Sequence, residues 1–254
     1  MKLAFLFPFR DSDMHRERGL IEALSNDIKK VARADTEVEI FGLPEDIFDL
    51  SEGIYFYAHP KVTTGMIYRA KKAEKQGFDG IIIGEVGAVD AEYSLKEILN
   101  IPVVGASESS FLLALLLGVN FSLLTYGDKA YAWLYRTVRE YGLEHKCVSI
   151  RQADISDDEL LGRESIEKIC RVILEKANQA IKEDRAEVLL LASVGFAGLA
   201  DYLRKRVSVP VVDPVEAAVK FAEMLVDLNK SKGLLHSKVL SYKPSPNVDR
   251  ILKT

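Results

Sequence analysis

The sequence predicts an α/β protein of two related lobes, each a four-stranded parallel sheet in a βαβ frame, with a cleft between the lobes. Three observations predict it. Short apolar runs alternate with segments of helical period along the whole chain, the pattern of parallel sheets with right-handed crossovers. The stretch FDGIIIGEVGAVDAEYSLKEILNIPVVG (78–105) returns in altered form as RAEVLLLASVGFAGLADYLRKRVSVPVVD (185–213). The landmarks keep one offset, 195 − 87 = 108 for Gly87 and Gly195 and 210 − 102 = 108 for Pro102 and Pro210. An ungapped match of this length points to duplication, with lobe 1 over 1–118 (its last helix a candidate to cross to lobe 2), lobe 2 over 119–236 and a tail over 237–254.

Each element follows from its residues. KLAFLF (2–7) is a continuous apolar run before Pro8, as expected of a strand buried on both faces. Leu20, Ile21, Leu24, Ile28 and Val31 mark a helix between about 14 and 34, and 37–41 alternates as the second strand. Residues 42–64 are long for a connection and hold GIYFYAHP, which suggests a lid or rim. A helix over 65–76 stops at Gly77, and 79–84 is the third strand. Asp90 is placed to cap a helix that buries Ala91, Leu95, Ile98 and Leu99. A fourth strand over 102–105 and an apolar helix over 107–117, ended by Gly118, complete the first half.

The second half repeats the order. Strands are expected at 121–125, 146–150, 186–192 and 209–212, and helices at 129–141, 164–182 and 196–207. The last helix opens on Asp213-Pro214-Val215-Glu216: an N-cap acid, a first-turn proline, and a glutamate in the capping-box position. The tail has no counterpart in the first half, and its two prolines suggest an irregular segment packed on the surface or on a neighbouring subunit.

Composition narrows the function. The 254 residues are 48% apolar, with a net charge of −4 and a pI near 5.7, so no basic footprint for nucleic acid is present. The longest apolar run, 111–117, is too short to span a membrane. Two cysteines, no signal-peptide pattern and no long apolar span point to a soluble protein of a reducing compartment. GxxxxGK[ST], HExxH, CxxC and GxSxG are absent, and GEVGAV lacks dinucleotide-loop spacing. His15, His59, His145 and His236 are scattered without metal-ligand spacing, so neither metal nor coenzyme is expected. What remains is a pair of turns at equivalent strand ends, Glu85-Val86-Gly87 and Ser193-Val194-Gly195. Their glycines allow close backbone approach, and each turn opens a helix whose free N–H groups suit an anion or a ring imide.

On these residues the chain resembles the aspartate/glutamate/hydantoin racemase superfamily, most closely its hydantoin-racemase branch. The resemblance runs from the first strand to about 230. It is clearest in FDGIIIGEVG, NIPVVGASES, GVNFSLLTYG, AEVLLLASVGFAGLAD and VPVVDPVEAAVKFAEML. It implies an Asp/Glu racemase-like fold, a small-molecule carboxylate or hydantoin-like substrate, no cofactor, and a cytoplasmic homo-oligomer. In that family two cysteines, one after the third strand of each lobe, serve as the two bases of racemisation. The positions aligned with them are Glu85 and Ser193, while Cys147 and Cys170 lie outside both turns and are expected to be buried as small hydrophobes. The first-strand loop, often Asn-Pro-Asn in the family, is Phe-Pro-Phe-Arg here and keeps Pro8; Thr125 matches the family's threonine region.

The resemblance thus implies Glu85 and Ser193 as catalytic residues. Pro8, Arg10, Val86, Gly87, Thr125, Tyr126, Val194 and Gly195 would contact substrate. Each has a plainer alternative: Glu85 as a solvated turn residue or a partner of Arg10 or a lysine, Ser193 and Thr125 as caps, and His59 as a surface-loop histidine. Two readings stay open. One is an isomerase or one-sided lyase in which Glu85 moves the proton and Ser193 steadies oxyanion charge; the other is a non-catalytic binder of a small acid on a racemase scaffold.

Overall fold

The computed structural model describes residues 1–16, 18–44, 55–156, 159–160 and 166–252. In chain order the elements are β1 (Lys2–Arg10), α1 (Asp13–Arg16), α2 (Arg18–Val31), β2 (Glu37–Leu43), α3 (His59–Lys75), β3 (Gly80–Ile83), α4 (Val89–Ile98), β4 (Val103–Gly105), α5 (Ala106–Leu117), β5 (Phe121–Tyr126), α6 (Asp128–Glu140), β6 (Cys147–Ala153), α7 (Ile166–Lys182), β7 (Leu189–Leu191), a 3₁₀ turn (Val194–Phe196), α8 (Ala200–Arg204), β8 (Val211–Val212), α9 (Pro214–Lys232), a second 3₁₀ turn (Leu240–Tyr242) and α10 (Val248–Leu252). The strands form two four-stranded parallel sheets, ordered β2-β1-β3-β4 and β6-β5-β7-β8. The duplication read in the sequence is therefore a duplication of topology. Its register holds to the residue: Ile81 pairs with Val103 as Leu189 pairs with Val211.

The segments of the two compact units alternate along the chain. Unit 1 comprises Met1–Arg16, Val31–Gly105 and Ala218–Thr254; unit 2 comprises Glu17–Lys30 and Ala106–Ala217. Helix α5, the candidate to cross from lobe 1, belongs to unit 2, as do nearly all of α2 and the start of α9, while the tail belongs to unit 1, so this division does not fall at 118/119. In unit 1 the core gathers Leu6, Met66, Ile81, Ile83, Leu95 and Leu99, all buried. In unit 2 Leu124, Ile173, Leu189, Leu191, Phe196 and Leu203 do the same. Strands apolar on both faces fit sheets covered by helices on both sides.

Several boundaries differ from expectation for identifiable reasons. Helix α3 starts at His59 rather than at 65, with Pro60 in its first turn, where a proline's missing N–H costs nothing. The proposed lid over 42–64 falls in part on residues 45–54, outside the described residues. Asp90 lies inside the first turn of α4 and Ala88 is its N-cap, so the acid faces the helix N-terminus without capping it. The helix expected over 196–207 is a 3₁₀ turn followed by α8, separated at Gly198, whose φ of 85° breaks the helical path. Asp213 caps α9 as predicted, its Oδ1 accepting from Val215 N at 2.8 Å and Glu216 N at 3.1 Å. Glu216 does not close a capping box; its carboxylate takes the Arg204 guanidinium at 2.9 and 2.6 Å.

The tail is tied down in unit 1. Lys238 Nζ donates to the carbonyls of Lys96, Glu97 and Leu99 at 2.5–2.9 Å, a side-chain cap on the α4 C-terminus. His236 Nε2 accepts from Val103 N at 2.8 Å. Cys147 and Cys170 are half-buried rather than buried. Burial still pushes the Cys147 thiol up to about 12, which keeps it protonated near neutrality.

Candidate active site

In unit 1 the third strand delivers Glu85 to its turn through tight packing. Gly84 N donates to Leu6 O at 2.8 Å. A Cβ on Gly84 would stand 2.0 Å from the Phe5 ring, so only glycine fits there. The chain then turns through Glu85 and Val86 to Gly87, whose φ of 106° favours glycine, and α4 begins two residues later.

The Glu85 side chain is 15% exposed, and its Oε1 lies 3.3 Å from His59 Nε2, with His59 4% exposed. Glu85 Oε2 is buried and has no hydrogen-bond partner among the described residues. Leaving a buried polar acceptor unpaired costs on the order of 1–3 kcal/mol, a cost that a bound ligand's donor would relieve. Glu85 is thus neither a solvated turn residue nor a partner of Arg10 or a lysine. Its neighbour is the histidine expected on a surface loop, which is buried at the head of α3. The sequence reading missed this contact. The signal was Pro60, which marks a helix start and turns the end of YFYAHP into the first turn of α3.

The end of β1 belongs to the same unit. Pro8 is half-buried between Phe7 and Phe9, whose rings stack at 4.5 Å between centroids. Arg10 is held by Asp13, with Nε at 2.6 Å and Nη2 at 3.0 Å from the two carboxylate oxygens. That forked pair sets the guanidinium before any substrate arrives.

In unit 2 the same frame ends differently. Ala192 N donates to Leu124 O at 2.9 Å. Ser193 then adopts an extended conformation and its Oγ accepts from Gly195 N at 3.0 Å, capping the 3₁₀ turn. The Ser193 hydroxyl keeps its own proton to donate. A Cβ on Gly195 would approach Leu160 Cδ2 to 2.9 Å. Thr125 is buried at the end of β5, and its Oγ1 has no hydrogen-bond partner among the described residues. Tyr126 stands edge-on to Phe196, with centroids 6.1 Å apart.

Within unit 1, then, the structure brings together Glu85, Val86, Gly87 and the unforeseen His59. Within unit 2 it gathers Ser193, Val194, Gly195, Thr125 and Tyr126. Among the described residues no group of three or more His, Cys, Asp or Glu is arranged to hold a metal ion. No helix among them is long and apolar enough to cross a membrane.

Comparison with known proteins places this geometry. A family model described as Asp/Glu/Hydantoin racemase matches residues 20–222. A hydantoin racemase of Pseudomonas sp. (strain NS671) is 32% identical over 229 residues, covering 88% of this chain and 86% of that protein. The crystal structure of allantoin racemase from Pseudomonas fluorescens superposes with a TM-score of 0.83 at 30% identity, over 97% of both chains. A glutamate racemase of Bacillus anthracis shares the fold, with a TM-score of 0.59 at 15% identity over 99% of this chain and 94% of that one. The chain belongs to the Asp/Glu/hydantoin racemase family.

Proposed function

We propose that this chain is a coenzyme-independent isomerase or one-sided lyase acting at the acidic carbon of a small carbon acid, with a hydantoin-type ring as the first candidate. Glu85 is the proton-transfer group. The Ser193 hydroxyl and the neighbouring backbone N–H groups steady the oxygen that gains charge as the carbon loses its proton. The ring is favoured over a free carboxylate by two things. The relatives at 30–32% identity are named hydantoin racemase and allantoin racemase, and Arg10, the cation nearest the β1 end in sequence, is already forked by Asp13. A neutral ring also avoids bringing an anion to a glutamate. Pro8, Arg10, Val86, Gly87, Thr125, Tyr126, Val194 and Gly195 are proposed to contact it, and the working form is proposed to be a cytoplasmic homo-oligomer.

One observation carries the reading: a carboxylate at a strand end, largely buried, with one oxygen left unpaired. The test is deuterium exchange at C5 of monosubstituted hydantoins in D₂O. The wild type is expected to exchange and Glu85→Gln to lose exchange. Exchange that persists undiminished in Glu85→Gln would sink the assigned role.

The competing reading, a non-catalytic binder, draws on the Ser193 hydroxyl, which is engaged by Gly195 N and has no hydrogen-bonded base among the described residues to activate it. A thermal-shift screen coupled to a turnover assay on each stabilising compound separates the two. A ligand recovered unchanged after long incubation supports the binder, and any product removes it.

A further inference from the structure

We infer that His59 is the positioning residue for Glu85. It takes one carboxylate oxygen, and so leaves the other as the atom that meets substrate. The inference rests on the proposed role of Glu85 and adds a residue that the resemblance does not supply.

The geometry is specific. Nε2 of His59 lies 3.3 Å from Oε1 of Glu85, an ion-pair distance at which the ring is not aligned for a hydrogen bond, and both side chains are largely shielded from solvent. Oε2 is buried without a partner among the described residues. A glutamate on a short turn has free rotation about its terminal bond, and its two oxygens are equivalent until a neighbour distinguishes them. An imidazole on a rigid helix start does so. The 17-residue α3, opened by Pro60, fixes where His59 stands. At the 108-residue offset the unit 2 residue matching His59 is Glu167 (167 − 59 = 108), which is exposed in the first turn of α7. The imidazole therefore accompanies the glutamate turn and not the serine turn.

In the step itself Oε2 takes the proton from carbon. The C–H electron pair moves into the adjacent carbonyl as an enolate, and the same oxygen, or solvent exchanged onto it, returns a proton. The imidazole holds Oε1 throughout and neither gains nor loses an atom.

The test compares His59→Gln with His59→Leu in the full-length protein, scoring C5 exchange in D₂O per folded molecule, with melting temperature read alongside. Gln keeps an N–H donor at the reach of Nε2, and Leu keeps bulk alone. The expected result is that Leu lowers kcat about 10- to 100-fold, the scale for a group that orients an active residue. KM should shift less than about threefold, Gln should restore most of the rate, and imidazole added to His59→Ala should restore part of it. Equal kcat in the Leu and Gln variants would overturn the inference, as would failure of both Gln and imidazole to restore rate. The two failures are distinguishable. An inactive Glu85→Gln beside an undiminished His59→Leu sinks the role of His59 alone. An active Glu85→Gln sinks the proposed function, and this inference with it.

Discussion

At the end of β3, Gly84 N donates to Leu6 O at 2.8 Å; at the end of β7, Ala192 N donates to Leu124 O at 2.9 Å. Three residues earlier in the frame the correspondence also holds, with Ile81 N on Pro102 O at 2.8 Å and Leu189 N on Pro210 O at 2.9 Å. The two units then part. Unit 1 runs into a left-handed glycine turn that presents a carboxylate with one oxygen unpaired. Unit 2 runs into a 3₁₀ turn in which the side chain bonds back onto its own backbone. Equal frames with unequal ends teach that the duplicated hydrogen bonds specify where a side chain is delivered, while the turn specifies what remains available for chemistry.

The largest expected effect tests that inequality. Glu85→Gln is predicted to lower C5 exchange about 10³-fold, within the range for a positioned acid–base group. Ser193→Ala should cost about 10- to 100-fold, less than a dedicated oxyanion donor because backbone N–H groups share the load. Steady-state kinetics on both variants checks the order, and equal losses would erase the asymmetry.

Next in size is the packing behind it. Phe5 pairs with Ile82 and Leu123 with Leu190, so leucine in unit 2 stands where the Phe5 ring stands in unit 1. Unit 2 accordingly tolerates Ala192 where unit 1 requires Gly84. Gly84→Ala should destabilise by about 2–3 kcal/mol through overpacking against the ring and the Leu6 carbonyl. Adding Phe5→Leu should recover part of that loss and show coupling in a denaturant double-mutant cycle.

The fold was legible because its signals are periodic and repeated. The apolar runs, the constant offset between Pro102 and Pro210, and the Asp213 cap each map onto a strand, a register or a helix start. The positions of the candidate site were legible by the same means, since Glu85 and Ser193 sit where the repeat sets them. Their surroundings were not. His59 reaches Glu85 from a helix 26 residues upstream (85 − 59 = 26), and a contact between separate elements leaves no local pattern. The pairing of Arg10 with Asp13 and of Glu216 with Arg204 has the same origin, because a charged side chain's partner is chosen by tertiary neighbours rather than by its place in a motif.

The units also differ in what pH does to them. Burial, with the Glu216 and Asp27 charges adding to it against the two N–H bonds, raises Asp213 in unit 2 from 3.8 to about 7. A raised folded-state pKa contributes stability that is present below 3.8 and is lost as pH rises through about 7, at up to about 1.4 kcal/mol per pH unit. In unit 1, burial and then the Lys96 and Lys238 charges lower His236 from 6.5 to about 4. That stability is present above 6.5 and lost as pH falls through about 4. Asp213→Asn keeps an acceptor for Val215 and Glu216 and should gain about 1–2 kcal/mol over wild type at pH 8 with little change at pH 4. His236→Gln keeps an acceptor for Val103 and should flatten the acid limb. Denaturant melts across pH 4–8 read both limbs, and parallel slopes in the wild type and the two variants would refute the assignment.

The smallest expected effect tests the deepest part of the likeness. Asp79 Oδ2 accepts from Lys2 N at 2.6 Å, just before β3, and Glu187 Oε2 accepts from Val119 N at 2.7 Å, just before β7. Each acid thus holds the entry of its own unit's first strand, and the two match at the 108-residue offset. Asp79 has a second bond that Glu187 lacks among those described, the Lys230 ammonium at 2.6 Å. Burial works against its ionisation, but Lys230 and the Lys2 N–H outweigh it and hold the carboxyl below its usual range. Asp79→Asn should therefore cost about 1 kcal/mol, and Glu187→Gln about half that, since partly exposed charge-assisted bonds are worth little more. Because each carboxylate serves its own unit, the double variant should lose about the sum, within about 0.5 kcal/mol. A larger loss for Glu187→Gln would show that the shared bond, and not the added lysine, sets the strength of these strand entries.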